Sequence, residues 1–299
     1  MLINAGNLKT LAIAFKAAFQ GGLGQAASQY QVIATTVPST TGSEEYGWLG
    51  SFPNMREWIG DRVINGAKSY GYTIKNKPFE LTVAVPRTAI EDDQYGVYTP
   101  MMTEMGRAAA ANPDQLAFNL LKAGNATACY DGQYFFDTDH PVIGADGAVA
   151  SQANYDDNSG SGTTWYLLDN SRALKPIIFQ NRKAPNFVSK TAETDDNVFE
   201  RNEYVYGVDS RCNVGYGFWQ LAYASRKTLD EAGLTAAYTA MCERKGDGGR
   251  PLGIKPTHLV VPPSLEIAAL KLVNATTLAN GADNVLKGLV QVISVPWLA

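Results

Sequence analysis

The chain is expected to fold as an α+β protein with two lobes, and three features of the sequence carry that expectation. Residues 69–86 alternate apolar with small or polar side chains, the signature of extended β-structure. Residues 96–124 switch to a helical period, and from residue 163 onward short alternating runs rich in Tyr, Phe and Val lead into further helices. With 299 residues and 45% hydrophobic content the chain can bury a sizeable core. Single cores stop growing near about 250–300 residues, so that core is expected to divide between two lobes.

From the N-terminus, Leu8, Leu11, Phe15 and Phe19 recur at the spacing of one helical face, with Asn7 as a cap and Gly21-Gly22 as the stop. Residues 25–45, QAASQYQVIATTVPSTTGSEE, are poor in charge until their end and read as an extended arm. Trp48, Phe52 and Trp58 then cluster around Gly and Pro. The ribbon that follows places Tyr70, Tyr72 and Ile74 on one arm, KNKP as a turn, and Phe79, Leu81, Val83 and Val85 on the other. Each arm of such a hairpin reaches roughly 27 Å at ~3.3 Å per residue, and an isolated two-stranded hairpin is marginal in water. Something must cover its apolar face.

In the helical stretch 96–124, Met101, Met105 and Ala108 or Ala109 share one side, and Leu116, Leu120 and Leu121 continue it beyond Asn112-Pro113-Asp114. Asn followed by Pro predicts a fresh helix start or a kink there, and Gly124 ends the run. Residues 125–163 are loop-rich, with NYDDNSGSGTT a surface loop on composition. TWYLLD, KPIIFQ, NVFERNEYVYGVD and GYGFWQLAYAS read as strands. A helix over LDEAGLTAAYTAMCERK, a Gly-rich turn, a strand THLVVPP, a helix SLEIAALKLVNA and closing strands complete the chain.

The search for chemistry returns little. Lys plus Arg number 25 against 29 Asp plus Glu, a net charge of -4, so no global positive field exists to hold a nucleic-acid backbone. Cys129, Cys212 and Cys242 are odd in number, widely spaced and without CxxC spacing, which argues against a disulfide framework and a zinc site and for reduced, cytosolic thiols. Lys9 and Lys16 interrupt the apolar N-terminal stretch, and no segment approaches ~18 apolar residues, so neither export nor membrane insertion is expected. DTDHP sets Asp137, Asp139 and His140 side by side. Metal-dependent hydrolysis would need three or four ligands and a partner for the His, and a structural turn is the favoured reading. GDGGR at 246–250 lacks the Walker spacing, GYG at 215–217 lacks the third glycine of a dinucleotide turn, and no Ser stands in a GxSxG setting. Cys129 reads better as a small buried side chain than as a nucleophile. The acid pairs Glu44-Glu45, Glu91-Asp92-Asp93 and Asp156-Asp157 read as solvated turns or helix starts. No catalytic, cofactor-binding or metal residue is assigned, and the uncovered ribbon points instead to copies that cover one another.

The strings FQGGL, YGWLG with FP and EW downstream, GY.I.NK.FE, EDD, EMGRAAA, NPDQL.F.LLK, CYDGQ.FFD.DHP, WYLLD.SRALKP.IFQ, YGVD.RCNVGYGFWQ, KGDGGRPLG, LVVPPSL and a final PWL run through essentially the whole chain. In that order they resemble the major head (capsid) proteins of Mu-like bacteriophages and prophages. The resemblance implies the Hong Kong 97-type phage capsid fold: an N-terminal helix and arm over 1–45, an extended loop over 46–95, a peripheral domain with a spine helix over 96–124, and an axial domain. In most proteins of that fold a strand run like WYLLD to FWQLAYAS comes near the C-terminus, whereas here it precedes THLVVPP and the closing strands, so the peripheral domain is expected from 96–124 and 163–225, with a loop-rich insertion over 125–162 and an axial domain over 226–299.

It further implies a structural subunit, not an enzyme, that self-assembles into hexamers and pentamers of an icosahedral head enclosing double-stranded DNA without base-specific binding, with no cofactor and no membrane. The ribbon is then expected to lie on the adjacent subunit, with Trp48, Trp58, Tyr70, Tyr72, Ile74, Phe79 and Leu81 in inter-subunit contact. Because the loop begins near residue 46, no built-in scaffolding segment is expected. A separate scaffolding protein, a head protease, a portal and a decoration protein are the implied partners, and the location is the phage head, assembled in the host cytoplasm. Lys68, Lys75 and Lys77 lie on the ribbon, but no motif marks an isopeptide acceptor, so non-covalent assembly is expected. Two other readings stay open: a tail-tube or adaptor protein, and a metal-dependent hydrolase built on Asp137, Asp139 and His140.

Overall fold

The structure, a computed structural model, describes residues 3–49, 71–92, 94–277 and 281–299. The chain forms α1 (Ala5–Gln25), the single turn α2 (Tyr30–Ile33), β1 (Ala34–Pro38) and β2 (Ser43–Glu45), then β3 (Thr73–Lys75), β4 (Lys77–Pro86), α3 (Arg87–Glu91) and α4 (Thr99–Lys122). Next come β5 (His140–Ile143), β6 (Val149–Gln152), β7 (Tyr155–Asp156), β8 (Trp165–Leu168), β9 (Ile177–Lys190), α5 (Asp196–Arg201), β10 (Glu203–Tyr216) and β11 (Ala222–Ser225). The remainder supplies α6 (Glu231–Cys242), β12 (Lys245–Gly246), β13 (Arg250–Pro251), β14 (His258–Val261), α7 (Pro263–Asn274) and β15 (Gln291–Ser294).

Two sheets organise these elements. One has the order β1-β9-β10-β4 and is built on the two 14-residue strands β9 and β10, paired antiparallel with a register shift near Arg211. The other has the order β15-β14-β8-β11-β7. Here the structure departs from the expected grouping. β8 and β11 fall within 163–225, yet they share a sheet with β14 and β15 rather than with the strands beside the long helix. The reason lies in their composition: all four residues of β8, WYLL, are buried, and such a continuous apolar run needs neighbours on both edges and cover on both faces.

The expected hairpin at KNKP also does not form. β3 pairs with β2, while β4 pairs along its whole length with β10. Asn76 is the branch point. Its N–H donates to the Gly42 carbonyl, its Nδ2 donates to Ser39 Oγ (2.8 Å) and the Thr41 carbonyl (3.0 Å), and its Oδ1 accepts from Gln180 Nε2 (2.9 Å). A fully satisfied buried amide fixes the chain there, and Pro78 is tolerated because β4 is an edge strand. NVFER, read as the start of a strand, forms α5 instead, closed by Asn202 in the left-handed region (φ 54°).

α1 buries Leu8, Leu11, Phe15 and Phe19 as the spacing predicts, but its cap is Asn4, whose side chain accepts from the Asn7 N–H. Gly22 does not stop it. A Cβ on Gly22 would sit 1.9 Å from the Thr103 carbonyl oxygen, and one on Gly106 would sit 2.1 Å from that of Phe19, so these glycines let the backbones of α1 and α4 touch. α4 runs unbroken through Pro113, and its buried face is Met102, Met105, Ala117, Phe118 and Leu121 rather than the Met101 side. Asp114, on its inner side, caps α2 from a distance: one carboxylate oxygen accepts from Ser28 Oγ and from the N–H groups of Gln29 and Tyr30.

The crossing makes a paired prediction. Gly106→Ala overpacks the helix contact and costs about 1–3 kcal/mol. Gly21→Ala, one residue from the contact and with nothing within 4 Å of its added Cβ, gains roughly 0.5–1 kcal/mol. Denaturant midpoints of the two variants move in opposite directions.

Candidate assembly interface

The base of the ribbon is a rigid socket. β2 and β3 pair antiparallel, Ser43 with Lys75 through Glu45 with Thr73, and the Tyr46 N–H donates to the Tyr72 carbonyl (2.8 Å), so the chain leaves at Tyr46 and returns at Tyr72 side by side. The Glu44 carboxylate accepts from Ser39 Oγ (2.8 Å), from the N–H groups of Thr40 and Thr41 (3.0 and 3.1 Å) and from Thr41 Oγ1 (3.0 Å). These bonds, with Ser39 the largest, hold its pKa down at about 2 from the ordinary 4.5. Glu44 is therefore a turn-forming hub, not merely a solvated charge. Behind it, buried Gln180 accepts from Tyr46 Oη (2.9 Å) and donates to the Ile74 carbonyl and Asn76 Oδ1, tying the socket to β9.

The expected contact residues divide between the chain's own core and its surface. Ile74 is buried against Gly215, where an added Cβ would lie 2.2 Å from its Cδ1. Tyr72 is half-buried, and its Oη accepts from the Tyr216 N–H (2.8 Å). Both face the subunit they belong to. Trp48 is 44% exposed while meeting Tyr46 and Phe218 edge-on. Phe79 is half-buried, and Leu81 is exposed on the edge strand β4. Trp58 and Tyr70 lie outside the described residues. Among the described residues the most exposed large apolar side chain, Phe199 at 86%, has no sequence signal beyond its place next to Val198, which is buried.

The DTDHP motif resolves differently from its sequence neighbourhood. Adjacent residues of extended chain point to opposite sides, so His140 turns inward while Asp139 stays outside. His140 Nδ1 lies 2.7 Å from Asp131 Oδ2, and its ring stacks on Trp219 at 3.9 Å and 7°. Cys129 Sγ donates to Asp131 Oδ1 at 3.0 Å. Asp137 instead accepts from the N–H groups of Tyr134 and Thr138. Trp219 also lies under the guanidinium of Arg244, which is buried and donates to the carbonyls of Gln220 (2.5 Å) and Ala222 (3.1 Å). Burial lowers the Arg244 pKa to about 10, which leaves it cationic at neutral pH.

Cys129, Asp131 and His140 are a donor set of mixed softness with ligand atoms within 4.8 Å of one another. Their 2.7 and 3.0 Å separations are hydrogen-bond lengths, shorter than the about 3.3–3.7 Å between donors around a tetrahedral zinc with 2.0–2.3 Å bonds. Burial pushes the Cys129 thiol well above its usual range, so it is a proton donor and not a nucleophile. Burial opposes ionisation of Asp131, but hydrogen bonds led by that from His140 outweigh it and hold the carboxyl below its ordinary value. The arrangement ties the 129–140 loop to the segment carrying Trp219; it is suited to holding a fold, not to turnover.

Two outcomes follow from these geometries. Asp131→Ala strands two buried donors and costs about 1–3 kcal/mol, whereas dialysis against EDTA leaves the melting temperature unchanged. Glu44 has a depressed folded pKa, so its contribution is complete above about pH 4.5 and disappears as pH falls through about 2. The melting-temperature gap between the native chain and Glu44→Gln is therefore full at pH 6 and closed near pH 2.

Comparison with known proteins places this architecture. The family model described as the Mu-like prophage major head subunit gpT matches residues 8–298. The chain is 45% identical over 305 residues, the whole of both sequences, to the major capsid protein of Escherichia phage Mu. It is 51% identical over 270 residues to the Mu-like prophage FluMu major head subunit of Haemophilus influenzae, covering 89% of this chain and 88% of that one. Among solved structures, a chain of the bacteriophage JBD30 procapsid, computed in I4 symmetry, superposes with a TM-score of 0.88 at 52% identity, over 99% of this chain and 100% of that one. A chain from the JBD30 capsid decorated with minor capsid protein trimers gives a TM-score of 0.78 at 41% identity over 94% of each. With the two sheets, the long helix packed against the strands β9 and β10 and the ribbon socket in the same chain, the protein has the Hong Kong 97-type capsid fold and belongs to the Mu-like prophage major head subunit family.

Proposed function

We propose that the chain is the major capsid subunit of a Mu-like phage or prophage, assembling as hexamers and pentamers into an icosahedral head that encloses double-stranded DNA. The observation that carries this reading is the full-length superposition on a procapsid subunit at 52% identity. In a closed shell each contact is repeated many times, so modest interfaces suffice. The net charge of -4 fits a container that must not hold its DNA tightly.

Within that reading the extended loop runs from β2 to β3 on its socket. α1, α4 and the β1-β9-β10-β4 sheet form the peripheral lobe, and the β15-β14-β8-β11-β7 sheet with α6 and α7 forms the axial lobe. This moves the lobe boundary drawn from sequence, because β8 and β11 go with the axial strands. Trp48 and Leu81 are the described members of the expected contact set with surface left for a neighbour. A scaffolding protein, a head protease and a portal are the partners of assembly in the host cytoplasm. A decoration protein is a further one, supported by the minor capsid protein trimers on the JBD30 capsid.

Electron microscopy of the chain expressed with a scaffolding protein tests the reading: closed particles are expected, and rings or tubes would favour a tail-tube protein. Because β3 and Asn76 belong to the subunit's own fold, the loop is tested by replacing residues 50–70 with a short Gly-Ser linker. That variant stays folded by circular dichroism and forms no shells; particles of normal size would refute the role given to the loop.

A further inference from the structure

α4 and β4 leave a hollow of about 200 Å³ between them, lined by Ala108 and Ala109 on one side and Phe79, Leu81 and Val208 on the other. It exists because two successive small side chains of α4 face the edge of the sheet. It is smaller than the about 300–1,000 Å³ of ordinary small-molecule pockets and is on the scale of one large side chain. Asn112, also in its wall, has a buried Oδ1 with no hydrogen-bond partner among the described residues.

The same chain carries a matching knob. Phe199 projects from the six-residue helix α5 at the far end of the β9–β10 ribbon and is 86% exposed. The residues between β9 and β10, 191–202, hold four carboxylates, Glu193, Asp195, Asp196 and Glu200, against one guanidinium, Arg201. The middle of the ribbon, beside the hollow, has the reverse balance. Glu80 and Asp209 stand in the wall of the hollow itself, and Arg182, Lys183, Arg211, Lys75 and Lys77 outnumber them around it, with Arg211 opposite Lys183 in the β9–β10 register. Asp209 is already paired with Lys183, and Arg87 is the one cation described against the acidic end, 3.7 Å from Glu193.

Resting on the reading of the chain as a shell subunit, we propose that Phe199 of one copy seats in the α4–β4 hollow of the next. The acidic turn around it then lies on the cations that flank the hollow at the middle of that copy's ribbon. Knob and hollow are different surfaces of one chain, so the contact is heterologous and propagates head to tail until symmetry closes it. The charge match orients the encounter, and the aromatic ring fills the hollow.

The test is disulfide trapping in assembled particles. Phe199→Cys combined with Ala108→Cys gives an oxidation-dependent ladder of covalent multimers on a denaturing gel, and neither single variant does. In parallel, Phe199→Asp raises the protein concentration needed for assembly at least tenfold with the subunit's melting temperature unchanged, and Phe199→Leu restores it. If the native chain forms shells and Phe199→Asp forms them at the same concentration, or if trapped shells show no ladder, the docking proposal is wrong while the shell reading stands. If the native chain forms no shells with its scaffold, it is the shell reading that fails.

Discussion

Both hydrophobic cores hang on the same three elements. α4 gives Met102 and Met105 to the smaller core and Ala117, Phe118 and Leu121 to the larger. β9 divides likewise between Phe187 and the run Ile177 to Phe179, and β10 between Tyr204, Tyr206 and Val208 on one side and Cys212 and Tyr216 on the other. An element that is buried twice cannot tilt in one core without disturbing the second, since packed interiors transmit strain. The contact of α1 with α4 at Gly22 and Gly106 sets how close the outermost helix can approach that shared frame. The rigid ribbon socket is a consequence of the same frame, because Gln180 on β9 anchors it.

Polar groups complete what apolar packing leaves open. Asp114 closes the start of α2 across 84 residues of sequence, and Asn76 seals the point where the ribbon returns. His140, Trp219 and Arg244 form a stack at which the 129–140 loop meets the second sheet. Asp114 and Asn76 each find several partners at once, and Arg244 donates to several carbonyls. Such a network favours one arrangement over its near neighbours, because a partly satisfied version would be costly.

Much of this was legible in the sequence wherever a period governs burial. Leu8, Leu11, Phe15 and Phe19 announce their face, and the alternation in β10 is visible as Tyr204, Tyr206 and Val208. Strand identity was legible where strand partnership was not: WYLL and HLVV read as strands, but nothing local says that they lie side by side. KNKP has turn chemistry, and only the distant Gly42, Ser39 and Gln180 show why Asn76 bends the chain without closing a hairpin. His140 was set beside the wrong carboxylates because adjacency in sequence is not adjacency in an extended chain; its partner Asp131 lies nine residues upstream. An exposed aromatic such as Phe199 on a short helix leaves no pattern at all, and it emerges only when its surroundings are seen.

The cysteines carry a consequence of a different kind. Cys129 and Cys212 are buried, Cys242 is half-buried, and burial raises the pKa of all three, Cys212 to about 11. At pH 7 a thiol of that strength is ionised in roughly one molecule in 10,000, and the thiolate is the form that oxidants attack. A capsid subunit whose thiols are held protonated in this way resists oxidation at those positions without any disulfide to protect them.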